Sequence, residues 1–310
     1  FISFFVPVMK IKSLSVFKNP AKDAAWYLNW VNQLEKLNRL RYHRFDVATK
    51  LGNTVIWGIN THNSHAEALV IFPGFRTSVL FWEFDRALDA LRHDYRIFLV
   101  ETNGQPCLSD GHTPHIRSEG YGHWAAEVLK GLGIQKASVA GCSFGSTVCA
   151  KLAIVAPEMV DKVIMLNPGN LQLFSLSFTN LWHNLLPIFS PTEKNVRAFL
   201  DKAIFYKPHH MISEKAEQLL VDYELHVIKE FKDKAEKPYP MREDELGKIK
   251  NDVYLLLGDK DILFPFKKSI DAAKKNMPAL KEAHVLKNTA HGIETSKEAI
   301  ELMKHILQKK

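Results

Sequence analysis

The sequence has few cysteines and no long apolar run. Its 310 residues include three cysteines, Cys107, Cys142 and Cys149, and no two of them have C-x-x-C spacing. Because three thiols cannot all pair, we expect no structural disulfide and a reducing, cytoplasmic location. No apolar run approaches the ~18 residues of a membrane span, so we expect no membrane partner.

The chain carries a modest excess of positive charge, with a formal net charge of +7. Residues 265–310 supply much of it, since they hold ten Lys against five Asp plus Glu. These lysines are interleaved with acidic and apolar residues at helical spacing, which is typical of a solvated helix face. The aromatic and basic surface stripe of a nucleic-acid-binding protein is missing, so we expect no nucleic-acid partner.

The first ten residues, FISFFVPVMK, begin without Met and are apolar up to Met9. A secretory signal carries its positive charge before the apolar run, whereas the lysines here follow it. We expect Met9 to be the natural start and residues 1–8 to be an extension. A truncated export signal is the alternative.

Apolar runs that resemble buried strands alternate with amphipathic helical segments along most of the chain. A hairpin is predicted for residues 41–60, with its turn at Leu51-Gly52. Six further strand-like runs follow: EALVIFPG, YRIFLVET, KASVAGCS, DKVIMLNP, DVYLLLGDKD and the weaker EAHVLKNTAHG. Apolar strands joined by helices predict a doubly wound α/β fold, with a mostly parallel, roughly eight-stranded sheet covered on both faces.

One long stretch breaks this alternation. The residues between Pro168 and Asn251 look helical, and a structureless loop of that length is improbable. A helical insertion over the end of the sheet is expected instead. We therefore divide the chain into an N-terminal extension and helix at 1–40, a core at 41–170 and 244–310, and a helical cap at 171–243.

The stretch GCSFG at residues 141–145 matches G-x-S-x-G, between a predicted strand and a predicted helix. Such a turn strains the serine backbone and lifts its hydroxyl clear of the sheet, while the two glycines avoid collisions with neighbouring elements. Ser143 is the predicted nucleophile. The Cys142 side chain should point away from it, and Ser146 and Cys149 should pack or cap within the helix.

A serine hydroxyl needs a base, usually a histidine, and the histidine needs an orienting carboxylate. Both should follow later strands of the sheet. YLLLGDKDILFP ends a strand with Asp259 and Asp261, and NTAHGIE follows the next strand with His291. The order Ser143, Asp261, His291 matches that of hydrolases with this strand–turn–helix motif.

These motifs resemble those of the α/β-hydrolase superfamily, in particular its capped carboxylesterase-like members. The resemblance covers roughly residues 40–310 and weakens through the cap. It implies an oxyanion hole made by two backbone N–H groups, which fall here on Phe75 and Phe144. The family often has His-Gly before the first of these positions, whereas this chain has Pro73-Gly74, which puts the support of that loop in doubt.

The resemblance also bears on the acid. A strand-end pattern G-x-x-D-x-x-x-P is common in the family, and residues 258–265 fit it with Asp261 in the acid position, which favours Asp261 over Asp259. Some members carry the acid after the strand that follows the nucleophile helix. This chain has Asn167 and Asn170 there, so that alternative is closed.

Several side chains are candidates for a substrate pocket. Phe174, Phe178 and Trp182 either line an apolar pocket or pack the cap onto the core, and the sequence leaves both open. Arg76 either binds a substrate carboxylate or forms a salt bridge. His112 and His115 have a spacing that suggests a metal, but no third ligand accompanies them, so no metal is expected.

Taken with the resemblance, these residues imply a serine hydrolase that cleaves carboxylic esters of largely apolar substrates through an acyl-enzyme. It would require no cofactor, bind a small-molecule ester and exist as a monomer or homodimer. Lactones, thioesters, amides or carbon–carbon bonds are alternative targets of the same triad. A ligand-binding protein of this fold with little turnover is a further alternative.

Overall fold

The computed structural model describes residues 12–309, so the predicted extension at residues 1–8 lies outside the described part. Eight strands form one sheet in the order β1-β2-β4-β3-β5-β6-β7-β8. The strands are β1 His43–Thr49, β2 Gly52–Ile59, β3 Glu67–Phe72, β4 Tyr95–Val100, β5 Ala137–Cys142, β6 Val160–Leu166, β7 Asp252–Gly258 and β8 Leu280–Leu286.

Most of the sheet is parallel. β2 pairs antiparallel with β1 and with β4, while every pair from β4 onward in the sheet is parallel. The hairpin turn uses Gly52 at φ +89, a conformation that favours glycine. The prediction of a mostly parallel, eight-stranded α/β sheet is confirmed. The carboxyl ends of β3, β5, β6, β7 and β8 lie at one edge, where open α/β sheets bind their ligands.

Apolar side chains on both faces of the sheet explain why it is covered twice. Along β3, Leu69 and Ile71 pack into one layer, and Val70 and Phe72 pack into the other. All four are fully buried. Because successive strand residues point to opposite faces, a strand that is apolar throughout requires helices on both sides.

Nine α-helices accompany the sheet in the described residues. They are α1 Pro20–Asn38, α2 Gly120–Gly131, α3 Phe144–Val155, α4 Phe178–Phe189, α5 Glu193–Phe199, α6 Glu214–Glu230, α7 Glu243–Leu246, α8 Phe266–Asn276 and α9 Lys297–Leu307. Helices α2, α3 and α8 cover one face, and α1 and α9 cover the other. Within residues 12–309, no helix combines the length and the apolarity needed to cross a membrane.

The helices α4 to α7 lie between β6 and β7 in the chain, in the stretch for which the sequence predicts helices. They are joined to the N-terminal helix as well as to the core. The indole of Trp30 in α1 donates a hydrogen bond to the Leu219 carbonyl of α6 at 2.8 Å, and its ring lies 5.1 Å from that of Tyr223. The helix α1 therefore anchors this helical insertion.

Candidate active site

The candidate nucleophile lies on the sharp turn between β5 and α3. Ser143 has φ 51 and ψ −111, a conformation that strains a residue with a side chain by about 1–3 kcal/mol. A Cβ on Gly141 would lie 2.7 Å from the Ser146 amide nitrogen, and one on Gly145 would lie 2.8 Å from the Pro73 carbonyl oxygen. Only glycine at both positions lets the turn close this tightly, and the partly exposed Ser143 then faces the sheet edge.

The candidate base and acid follow β8 and β7. His291 Nδ1 lies 2.8 Å from Asp261 Oδ2, and both side chains are buried. The other Asp261 oxygen accepts hydrogen bonds from the backbone N–H groups of residues 263 and 264 at 2.8 and 3.1 Å. Because an ionised carboxylate can only accept, Nδ1 carries the proton and Nε2 keeps its lone pair. Asp259 has no bond to His291 among the described residues and instead pairs with Lys260 at 3.5 Å.

Charges around His291 tune its basicity. Burial disfavours the imidazolium, but the Asp261 carboxylate and, secondarily, the charge of Glu294 raise the pKa of His291 above its ordinary value. Glu294 accepts a hydrogen bond from the Cys142 thiol at 3.1 Å. Burial raises the pKa of both Glu294 and Cys142, so Cys142 is held as a neutral thiol. Its sulfur thus points to Glu294, behind the histidine.

The candidate nucleophile and the candidate base follow strands that end at the same sheet edge, and they are not hydrogen-bonded to each other. Among residues 12–309, the Ser143 hydroxyl makes no hydrogen bond to His291. The backbone at Gly169 forms one wall, since a Cβ there would lie 3.6 Å from Ser143 Oγ. Phe264 lies next to the imidazole, with ring centroids 5.6 Å apart. Catalytic hydrogen bonds are often long without substrate and tighten when it binds.

Two backbone N–H groups are available beside Ser143. Phe144 is the first residue of α3, so its N–H has no acceptor within the helix. Within the described residues, the Phe75 N–H likewise donates to no backbone or side-chain acceptor. A Cβ on Gly74 would lie 3.7 Å from Ser143 Cβ, so the loop of residues 73–79 runs against the turn. The α3 N-terminus adds a favourable dipole for an oxyanion.

Two polar residues after β4 support that loop, and the sequence analysis missed both. Gln105 accepts a hydrogen bond from the Arg76 N–H at 2.6 Å. Glu101 accepts from the Ser78 hydroxyl at 2.9 Å and from the Val79 N–H at 3.3 Å. These contacts fix the loop that carries the Phe75 N–H. Their signal in the sequence was the run of polar residues that directly follows β4, the neighbour of β3.

Asn167 is a third residue whose role the sequence did not show. Its amide donates to the carbonyls of Ala290 and His291 at 2.9 and 3.0 Å, and its oxygen accepts from the Gly258 N–H at 2.8 Å. It therefore ties the end of β7 to the loop that carries the histidine. Because Asn167 is fully buried and directly follows β6, a polar residue after that strand was the available signal.

The three aromatic pocket candidates have different positions. Phe174 packs edge-on against Phe264 at 5.9 Å, and Phe264 in turn contacts the His291 ring. Phe178 and Trp182 stack on each other at 6.2 Å on the outer side of α4, where they are 80% and 53% exposed. The structure therefore brings only Phe174 towards the triad candidates.

Arg76 faces the helical insertion. Its guanidinium lies 3.8 Å from the Asp233 carboxylate and 5.9 Å from the centre of the Phe231 ring. It also offsets part of the effect of burial on Glu224, which raises the pKa of that carboxyl to about 7. Its positive charge is therefore already balanced by protein groups rather than left for a substrate carboxylate.

Comparisons with known proteins agree with this architecture. Residues 67–204 match a family model described as the alpha/beta hydrolase fold. Two solved structures from Bacillus subtilis each cover 92% of this chain: carboxylesterase CesB, at 18% identity, TM-score 0.74 and 97% of its own length, and naproxen esterase, at 20% identity, TM-score 0.76 and 98%. These matches confirm the fold predicted from the sequence.

One curated relative matches a shorter part of the chain. It is a 2-hydroxy-6-oxononadienedioate/2-hydroxy-6-oxononatrienedioate hydrolase from a Pseudomonas species, 29% identical over 118 residues. The match spans 36% of this chain and 40% of the length of that relative.

Proposed function

We propose, from the α/β-hydrolase fold of this chain, that it is a serine hydrolase that cleaves carboxylic esters of largely apolar substrates. The observation that carries the proposal is the buried hydrogen bond between His291 and Asp261, beside a serine held on a strained turn. An imidazole oriented in this way has a free lone pair at Nε2, which is what a serine hydroxyl needs to become a nucleophile.

The proposed reaction moves two protons in turn, each by way of His291. The Ser143 oxygen attacks the ester carbonyl while His291 Nε2 takes its proton, and the N–H groups of Phe75 and Phe144 stabilise the oxyanion. Collapse breaks the carbon–oxygen bond, and the imidazolium returns the proton to the leaving alcohol. Water then attacks the acyl carbon while His291 takes its proton, the bond from that carbon to the Ser143 oxygen breaks, and the proton returns to Ser143 as the carboxylic acid leaves. Asp261 stabilises the imidazolium in both halves of the reaction.

An apolar substrate suits the surroundings of these groups. Residues 163–192 contain no Asp, Glu, Lys or Arg. Phe174 and Phe264 form an apolar side next to His291, and the nearby charge of Arg76 is balanced by Asp233. A charged substrate would lose hydration here without gaining a free counter-charge.

Cleavage of carbon–carbon bonds is the second candidate, because the curated relative is named for a dienedioate hydrolase. A dioate carries two carboxylates, and such a substrate needs cationic partners in the pocket. Arg76 is the cation of this site that the sequence analysis singled out, and it is engaged by Asp233. The ester proposal therefore fits this chain better, and lactones, thioesters and amides would use the same groups.

The test compares esters with a dienedioate as substrates, and it compares alanine variants of two serines. We expect the wild type to hydrolyse p-nitrophenyl esters from acetate to decanoate and to leave a 2-hydroxy-6-oxo-dienedioate uncleaved. Ser143→Ala should abolish ester hydrolysis, whereas Ser146→Ala, in the first turn of α3, should retain it. Ester hydrolysis that survives Ser143→Ala would contradict the proposal, and so would faster turnover of the dienedioate than of any ester.

A further inference from the structure

A segment of the helical insertion, residues 203–210, is hydrogen-bonded to the loop that carries His291. The His291 N–H donates to the Ala203 carbonyl at 3.3 Å, and the Gly292 N–H donates to the Ile204 carbonyl at 2.9 Å. A Cβ on Gly292 would lie 2.6 Å from Ile204 Cγ2 and 3.1 Å from the Ile204 carbonyl oxygen, so the two segments approach closely at this glycine. The histidine loop is therefore bonded to the insertion as well as to the core.

The His210 side chain adds hydrogen bonds to these backbone contacts. It is 5% exposed, and its Nδ1 accepts a hydrogen bond from the Ala290 N–H at 3.2 Å. Its Nε2 lies 3.1 Å from the Thr295 hydroxyl, and that hydroxyl donates to the Gly292 carbonyl at 2.8 Å. Because a backbone N–H can only donate, Nδ1 is unprotonated and Nε2–H is the donor to Thr295.

The surroundings of His210 maintain this neutral, doubly bonded form. Burial lowers its pKa to about 4, so the ring is uncharged at neutral pH. The Phe205 ring lies edge-on to the His210 ring, with their centroids 5.5 Å apart. The backbones of His210 and Tyr206 exchange two N–H to carbonyl hydrogen bonds, at 3.0 and 2.9 Å. The imidazole is thus fixed on the insertion before it meets the loop.

We propose that His210 is a positioning residue, which holds residues 290–295 so that His291 Nε2 reaches the Ser143 hydroxyl and the leaving group. The inference rests on the proposed function, because it assigns His210 a role through His291. Asp261 orients the imidazole at Nδ1 but makes no bond to the backbone of the loop, which Asn167 holds only through the carbonyls of residues 290 and 291. His210 holds that backbone on both sides of His291. It bonds directly to Ala290 and, through the Thr295 hydroxyl, to Gly292.

Both ring nitrogens are needed for this role, which separates it from simple packing. An apolar side chain of similar size would fill the space but would leave the Ala290 N–H buried without an acceptor. Removing the hydrogen bonds of the His210 ring should therefore displace His291 without changing the groups that bind substrate. The expected signature is a loss in kcat with little change in KM, because the proton transfer suffers and ground-state binding does not.

The experiment compares variants of His210 with a neighbouring control. We expect His210→Ala to lower kcat for p-nitrophenyl butyrate about tenfold, which corresponds to about 1.4 kcal/mol, with KM within about twofold of wild type. His210→Asn keeps an acceptor near the Nδ1 position and should recover kcat to within about threefold. His209→Ala, at an exposed ring stacked on Tyr206, should match the wild type. The rate of fluorophosphonate labelling at Ser143 should follow kcat.

A second position keeps the test decisive if His210→Ala does not fold. Thr295→Val removes only the hydroxyl that joins His210 to Gly292, and we expect it to lower kcat about threefold. Its effect should be less than additive with that of His210→Asn, because both changes break the same link.

The outcomes separate the inference from the proposed function. A wild type that is not labelled at Ser143 overturns the proposed function. A labelled wild type with unchanged kcat in both His210→Ala and Thr295→Val, or in Thr295→Val where His210→Ala does not fold, overturns the positioning role alone. Equal losses in His209→Ala and His210→Ala, or losses confined to KM, overturn it as well.

Discussion

A methyl group added at Gly145 should open the candidate oxyanion hole. The new Cβ would lie closest to the Phe72 carbonyl oxygen and 2.8 Å from both the Phe72 carbonyl carbon and the Pro73 carbonyl oxygen, whereas ordinary contacts of a Cβ begin at 3.4 Å. Since the obstacles are backbone atoms, α3 must move away from the end of β3 by at least about 0.6 Å. That movement separates the N–H of Phe144, on α3, from the N–H of Phe75, on the loop after β3.

Helix propensity and overpacking have opposite effects on the stability of Gly145→Ala, so the sign of its change in unfolding free energy shows which one dominates. Alanine favours a helix over glycine by about 1 kcal/mol, while overpacking costs about 1–3 kcal/mol. We expect Gly145→Ala to lower the free energy of unfolding and, because small displacements of reacting groups are costly, to slow ester hydrolysis by about 10–100-fold. Gly247→Ala is the matched control, since its Cβ would meet only an ordinary 3.4 Å contact at φ −65.

Urea unfolding and p-nitrophenyl ester kinetics on the two variants provide the measurement. Gly247→Ala should stay within about 0.5 kcal/mol of the wild type and keep full activity. A Gly145→Ala protein that is more stable than the wild type and hydrolyses esters at the wild-type rate would refute the reasoning, because it would show that the turn tolerates a side chain.

Two further predictions concern His291. Asp261→Asn removes the charge that stabilises its imidazolium and should lower kcat by about 10³–10⁴-fold, whereas Asp259→Asn should have little effect; comparable losses in the two variants would contradict the geometry. Because His291 acts as a base only when neutral, kcat/KM should rise with pH through a pKa above 6.5. Glu294→Gln removes an anion that favours the imidazolium, so this rise should move to lower pH, whereas the exposed Glu298→Gln should leave the profile in place.

The arrangement of the strands was predictable from the sequence for a physical reason. A strand covered on both faces is mostly apolar, so β3 to β7 stand out as apolar runs with polar residues only near their amino ends. The turn at residues 141–145 was equally visible, because its tight packing admits only glycine on either side of Ser143. Polar residues at the ends of β7 and β8 then identified Asp261 and His291 as candidates.

The supporting residues were not predictable, because their roles depend on contacts far apart in the chain. Asn167 was considered only as a replaced acid, yet its amide bonds to residues 290 and 291. No local pattern in the sequence indicates that His210 meets Ala290. Trp182 was a pocket candidate because it is aromatic, and only the orientation of α4 shows that it faces solvent.

Covalent labelling tests the central claim most directly. The folded protein is incubated with a fluorophosphonate at pH 8, and the adduct is located by mass spectrometry on the tryptic peptide between Lys136 and Lys151. The account predicts an adduct on Ser143 that is absent in Ser143→Ala and formed far more slowly in Asp261→Asn. A folded wild type that forms no adduct, or that forms it on another residue, would contradict the account.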